Sequence, residues 1–342
     1  MTSAEGESPR NALSMGSRLR NTKALGFKLK LDALRGTEPE SVPAPRKRGE
    51  GVDEAAIANA ETKLADQMRR HPEYRGFPER ESWKLVMDGN KHLAPPGTTK
   101  LTQVKYRFEN EHGYLVAMLG ALTAMLADVD RPLTCRYYEH LHDLCVDNVY
   151  NTRGVLMSKG YRGSTSGGTV RFGVRPGQTW SQEGYDELKA KFAARASDPP
   201  RHRRGNPVGK RMDSDPAMMA GPTVENKQVV IAPVDPFTAS GYVEDILAAY
   251  EHDIASLGVP PANSDQRITA IARCCQDLDQ IHVFSDGNIR TVVFVVLTKL
   301  LLQNKLSPAV LMEPNLLDCM SVQQITAAIK AGQDYFTRLR GR

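Results

Sequence analysis

The sequence predicts a mainly α-helical fold that carries one small β-hairpin. Three observations support this. Segments with apolar residues at three- and four-residue spacing recur from residue 53 onward. One segment, VVFVVLTKLLL, is apolar on nearly every side and, extended to LLLQN, is long enough for a buried helix of about 14 residues. One stretch, KGYRGSTSGGTVRFGV, joins Gly-rich turn chemistry to short β-prone pieces.

Residues 1–50 are rich in Ser, Gly, Pro and charge. They bury too little apolar surface to offset the entropy of ordering, and are expected to form a disordered tail. The same composition suits the leader of a non-Sec secretion route. Residues 51–104 form a helical N-terminal extension. In it, 53–72 is an Ala-rich helix with Asp53 as N-cap, and Pro- and Gly-broken loops follow. The main domain is expected over 105–342. It starts with a buried helix at about 113–128 and a second helix capped by Thr134, with Tyr138, Leu141, Leu144 and Cys145 on one face. The hairpin is placed at 163–174. An insertion over about 180–225 contains a helix (SQEGYDELKAKFAAR) and a basic loop (DPPRHRRGNPVGKR). KQVVIAPV reads as a strand and GYVEDILAAYEHDIASLG as an amphipathic helix. Residues 264–281 read as another helix, with Ser264 or Asp265 as its cap.

Composition excludes several classes. The net charge of +5 is modest and unevenly spread, and RHRRGNPVGKR lacks aromatic interleaving, so no nucleic-acid partner is expected. Five cysteines without a C-x-x-C pair argue against a disulfide framework and against a Cys-built zinc site, and fit a reducing compartment. The sequence has no uncharged apolar run of about 18 residues and no Sec-type signal, so no membrane span is expected. His140 and His142, with Glu139 and Asp143, suggest a metal cluster, but residues two apart point to different sides of a helix. Oligomeric state is left open.

The most informative stretch is HVFSDGNIRT, residues 282–291, which opens the apolar helix. With a helix N-terminus near residue 288, the loop N–H groups and the helix dipole converge on an anion site. Gly287 lets the backbone approach closely, Asn288 can bond the loop, and Arg290 offers a planar fork for phosphate oxygens. Asp286 is a hard oxygen ligand suited to Mg2+ beside phosphates. His282 suits a general base near neutral pH, and Phe284 an inward anchor. Together these suit transfer of a phosphate-containing group.

HVFSDGNIRT resembles the signature of the Fic/Doc (Fido) family, H-x-F-x-[DE]-[GA]-N-x-R-[TS]. Its context is similar too: a helix ending IARCCQDLDQIHVF precedes it, with LHDL at 141–144, GYR at 160–162 and the Gly-rich hairpin upstream. The resemblance implies a helical core with a β-hairpin flap, and an enzyme that modifies a Ser, Thr or Tyr hydroxyl of a target protein. It implies His282 as the base and Asp286 as the Mg2+ ligand. Phe284, Gly287, Asn288, Arg290 and Thr291 would form the phosphate and nucleotide site. Gly160, Tyr161, Arg162, Thr169, Val170 and Arg171 would belong to the flap that aligns the target by strand addition.

Members that transfer AMP from ATP carry a second Gly and a second Arg, where this chain has Ile289 and Val293. AMP or another nucleoside monophosphate is the expected cargo. Doc-like phosphate transfer is an alternative, as is transfer from a diphosphate donor such as a nucleotide-sugar or CDP-choline. Arg201, Arg203, Arg204, Lys210 and Arg211 could replace the second Arg if the insertion folds over the site. No [ST]-x-x-x-E-[GN] inhibitory pattern is present. The N-terminal composition resembles bacterial effectors delivered into host cells, with a host protein as target; action in the bacterial cytoplasm is the alternative. A reading of another class is a non-catalytic interaction module on the same fold.

Overall fold

Asp53 starts the first helix as expected, its carboxylate accepting the Ala56 N–H at 2.8 Å. A computed structural model describes residues 53–92, 105, 108–163, 169–197, 220–234 and 236–341. The N-terminal tail, the basic loop with Arg201 through Arg211, and residues 164–168 of the flap lie outside the described residues. Helix α1 (Glu54–Met68) buries Ile57, Ala60, Leu64, Ala65 and Met68, and packs on α2 (Tyr114–Ala127). Gly113 precedes α2 at φ 86°, and a Cβ there would sit 2.3 Å from the Asn148 carbonyl oxygen, so only glycine fits. Helix α3 (Cys135–Cys145) is capped by Thr134, whose hydroxyl accepts the Tyr137 N–H at 3.2 Å.

The β structure differs in detail from the expected 163–174 hairpin. Strand β1 (Val170–Gly173) does not fold back on its own neighbours among the described residues. It pairs antiparallel with β3 (Gln228–Ile231), with Val170 opposite Ile231 and Phe172 opposite Val229. Strand β2 (Thr223–Glu225) pairs with the other edge of β3, so the sheet order is β1-β3-β2. The hairpin is β2–β3, turned at Asn226 and Lys227, which both have positive φ. Local turn chemistry at 163–168 suggested a hairpin there, yet the partner of β1 lies across the insertion. Helix α4 (Gln182–Ser197) falls between, with Leu188 and Phe192 buried.

Helix α5 (Pro236–Ser256) begins earlier than expected. Helix α6 (Ser264–Gln280) starts from Asn263 in the left-handed conformation; Ser264 donates instead to the Pro261 carbonyl, so neither proposed cap serves. Next comes the apolar element, α7, in three continuous parts: α-helical Asn288–Arg290, π-helical Thr291–Val296 and α-helical Leu297–Gln303. Every residue of the π-wound part is buried, and it contacts α2, α3 and α6. Wider winding of this kind often accompanies functional sites. Lys299 in α7 is buried and donates to the Asp128 and Val129 carbonyls at the end of α2. The last helix, α8 (Val322–Arg340), has a complete Ser321–Gln324 capping box and packs on α6. Among the described residues, no helix is long and apolar enough to cross a membrane.

Candidate functional site

The loop between α6 and α7 is locked by its own residues. The Asn288 side chain accepts the Phe284 N–H and donates to the Phe284 carbonyl, both at 3.0 Å. That ring closes the loop and starts α7. Gly287 takes the left-handed conformation here (φ 75°), and a Cβ on it would sit 2.9 Å from Val146 Cγ1. Thr291 donates its hydroxyl to the Gly287 carbonyl at 2.8 Å. Asn288 and Thr291 are both buried, so their side chains shape the loop, and any phosphate would meet the backbone.

Phe284 is fully buried, as an anchor should be. Its ring lies between His142 (centroids 3.7 Å, interplanar 8°) and Tyr161 (5.3 Å, 8°), with Tyr138 at 5.1 Å. Its side chain is thus core, and only its backbone is left to face a ligand at the loop. Three carbonyls of the loop are also taken from behind. Arg162 N–H donates to Val283 at 2.8 Å, Arg162 Nη2 to Phe284 at 2.9 Å, and His142 Nε2 to Asp286 at 3.0 Å. Asp143 accepts the Gly160 N–H at 2.6 Å and faces His142 Nδ1 at 3.3 Å. The LHDL and GYR segments therefore hold the HVFSDGNIRT loop. The sequence offered His142 as a metal ligand and as part of the LHDL context of the motif; the structure makes it a support of the loop.

His282 sits at the start of the loop, with positive φ (49°) and its N–H on the Asp279 carbonyl at 3.0 Å. Its ring meets Phe172 of β1 edge-on, centroids 6.0 Å apart. Nδ1 is enclosed and has no hydrogen-bond partner among the described residues. Close packing, and then the Arg162 guanidinium, push its pKa down to about 3, so the ring is a free base at neutral pH. Val170 faces the core like Phe172, whereas Thr169 and Arg171 are exposed. Asp286 is exposed, and its carboxylate accepts only the Gly287 N–H at 2.7 Å among the described residues. Those residues contain no group of three His, Cys, Asp or Glu able to hold a metal by themselves. A single free carboxylate suits Mg2+ that takes its other ligands from phosphates and water.

Arg290 departs furthest from expectation. It is buried and pairs with Glu111 at 2.6 Å, its guanidinium lies over Tyr114 at 4.9 Å, and Nη1 is 3.8 Å from the Met157 sulfur. Glu111 follows Glu109 and Asn110, two non-glycine residues at positive φ. Burial raises the Glu111 carboxyl pKa, and Arg290 offsets only part of that. Three residues before His282, Asp279 is buried, and so is Asp318, the acid with which it is electrostatically coupled. Burial pushes Asp279 up to about 7 and Asp318 further, so the pair retains a proton at neutral pH. Neither Glu111 nor the acid pair carries a motif that would have marked it in the sequence.

No protein-family model matches this chain. Over 89 residues, 26% of its length, the chain is 30% identical to the phosphocholine transferase AnkX of Legionella pneumophila subsp. pneumophila. The matched stretch spans 9% of that much longer protein.

Proposed function

We propose that this chain is a Fic/Doc-type transferase that moves a phosphate-containing group from a nucleotide donor onto a Ser, Thr or Tyr hydroxyl of a target protein. The arrangement that carries this is His282, its Nδ1 enclosed without a partner among the described residues, at the head of a loop whose carbonyls at Val283, Phe284 and Asp286 are already hydrogen-bonded. The Gly287 and Asn288 N–H groups at the start of α7 then serve as an anion cradle. His282 takes the proton of the hydroxyl as its oxygen bonds to the donor phosphorus. The bond from that phosphorus to the bridging oxygen breaks, and the electron pair stays with the leaving group, the nucleotide for a phosphate or phosphocholine cargo and pyrophosphate for a nucleoside monophosphate. Asp286 would hold Mg2+, which supplies charge neutralisation on the phosphate oxygens. Phe172 places β1 beside His282, where a target segment could add as a strand.

Two observations favour a diphosphate donor such as CDP-choline over ATP. The only arginine of the motif is already paired with Glu111, and position 293 is a buried valine. Little cationic capacity is left for a third phosphate. The similarity to a phosphocholine transferase points the same way. AMP or another nucleoside monophosphate from a triphosphate, or phosphate alone, are the competing cargoes. The N-terminal composition keeps a host-cell protein, reached by a non-Sec route, as the proposed target.

The test is intact-mass spectrometry of the purified chain with Mg2+, a host-cell lysate, the four nucleoside triphosphates, CDP-choline and nucleotide-sugars, beside His282→Ala. The expected result is a mass gain on the chain or on a lysate protein that His282→Ala abolishes, its size naming the cargo. No gain with any donor favours a binding module on the same fold.

A further inference from the structure

Strand β1 pairs with β3 on one side, and among the described strands its other side is an open edge. The ladder decides what that edge offers. Val174 N–H donates to the Lys227 carbonyl at 2.9 Å, in the same register that sets Phe172 opposite Val229. Bonded pairs alternate along an antiparallel ladder, so Val170, Phe172 and Val174 turn their N–H and C=O groups toward β3. Arg171 and Gly173 turn theirs to the open edge. The Gly173 carbonyl is taken by the Thr179 hydroxyl at 2.6 Å. The Arg171 N–H and carbonyl and the Gly173 N–H remain to receive an added strand, and they set its register.

The pleat then places its side chains. A residue of the added strand opposite Phe172 shares the face of that ring, which meets the His282 ring at 6.0 Å, so the hydroxyl to be modified belongs there. Its two neighbours fall on the other face, opposite Arg171 and Gly173. Arg171 is exposed, and its guanidinium has no hydrogen-bond or ion-pair partner among the described residues. The acid on that face of the sheet, Glu225, is two strands away and accepts the Thr223 hydroxyl at 3.2 Å. At Gly173 an added Cβ would meet nothing within 4 Å. The hydroxyl would therefore be flanked by an unpaired cation on one side and by open space on the other.

We propose that β1 selects its target: an extended segment in which the modified residue has Asp or Glu on one side, paired with Arg171 across the strands, and a large side chain, best an aromatic one, on the other side, laid over Gly173. That the central residue is modified rests on the transferase reading above; the choice of segment does not.

The test measures binding of short fluorescein-labelled peptides to the full chain at low salt, by anisotropy, with amide hydrogen exchange over residues 170–174 to locate them. Each peptide has a central Ser flanked by Phe on one side and by Glu or Lys on the other, in both orders. Phe-Ser-Glu suits an antiparallel added strand and Glu-Ser-Phe a parallel one. In one order the Glu peptide should bind about three- to tenfold tighter than its Lys counterpart and protect 170–174. Arg171→Gln should abolish the difference and Arg171→Glu reverse it; Arg171 is exposed, so neither change disturbs the core. The proposal is overturned if no peptide protects 170–174, if the Glu and Lys peptides bind alike, or if Arg171→Gln keeps the difference. The same peptides are then weighed after incubation with Mg2+ and CDP-choline or ATP. Selective binding without a mass gain would refute the transferase reading and leave strand selection standing, whereas a mass gain without preference for Glu would refute strand selection alone.

Discussion

The Arg290–Glu111 pair allows a prediction in depth. Both side chains are under a tenth exposed, at 8% and 9%, and their charged atoms are 2.6 Å apart. Replacing Glu111 with Gln leaves a guanidinium enclosed without its counter-charge. Breaking a buried pair in this way costs about 3–5 kcal/mol. The Tyr114 ring under the guanidinium remains and supplies about 1 kcal/mol of attraction, so the expected cost lies at the low end, about 3 kcal/mol. With about 2 cal/mol/K of unfolding entropy per residue, each kcal/mol lowers the Tm of a chain this long by about 1–2 °C, giving a fall of about 3–6 °C. Arg290→Met should also destabilise, because it leaves the Glu111 carboxylate enclosed. The double variant should recover much of the loss, since no uncompensated charge remains. Urea unfolding of the wild type, both singles and the double would give a coupling energy of about 2 kcal/mol. Strictly additive effects would show that the two side chains do not depend on each other, and the argument that Arg290 has little capacity left for phosphate would fall with them.

Two other perturbations follow from the site. Phe284→Ala removes a ring stacked between His142 and Tyr161 and should cost about 3–5 kcal/mol, read by chemical denaturation; Phe284→Leu should cost clearly less, and a loss under about 1 kcal/mol for Ala would mean the loop is held without that anchor. Asp279 holds its proton to about pH 7 in the folded state, whereas an unfolded aspartate releases it near 4, so this group withdraws stability as pH rises between those values. Asp279→Asn should therefore gain on the wild type as pH goes from 5 to 8, and a gap that stays constant in urea titrations would exclude a proton shared with Asp318.

Much of this was legible in the sequence because local chemistry decided it. Asp53 and Thr134 cap the helices they were expected to cap, and the apolar run after residue 290 is a central helix. The anchoring of Phe284 follows from residue type and position in the loop, whereas the left-handed turn falls on Gly287, which was read only for close backbone approach. What was missed depends on distant pairing. The partner of β1 lies beyond α4, and no local pattern names it. Helix α8 was not assigned, although S-V-Q-Q is a readable capping box. Glu111 meets Arg290, and Asp279 meets Asp318, only once the helices pack. The helical spacing of His140 and His142 gave no hint that His142 would reach the Asp286 carbonyl.

The pairing of β1 with β3 has a consequence for the covalent chain. The strand beside His282 owes its place to a ladder with residues on the far side of α4, and α4 is itself fastened to other parts: Ser181 donates its backbone N–H to Cys319, Gln276 accepts from Lys191, and Leu188 and Phe192 are buried. A backbone cut after Ser197 would leave β1 and α4 on one fragment, and β2, β3 and the 282–291 loop on the other. Each fragment keeps half of the ladder and one side of the α4 contact. The two should stay associated and co-purify, as complementing halves with Phe172 still against His282, so an intact peptide bond there is not what keeps the site together.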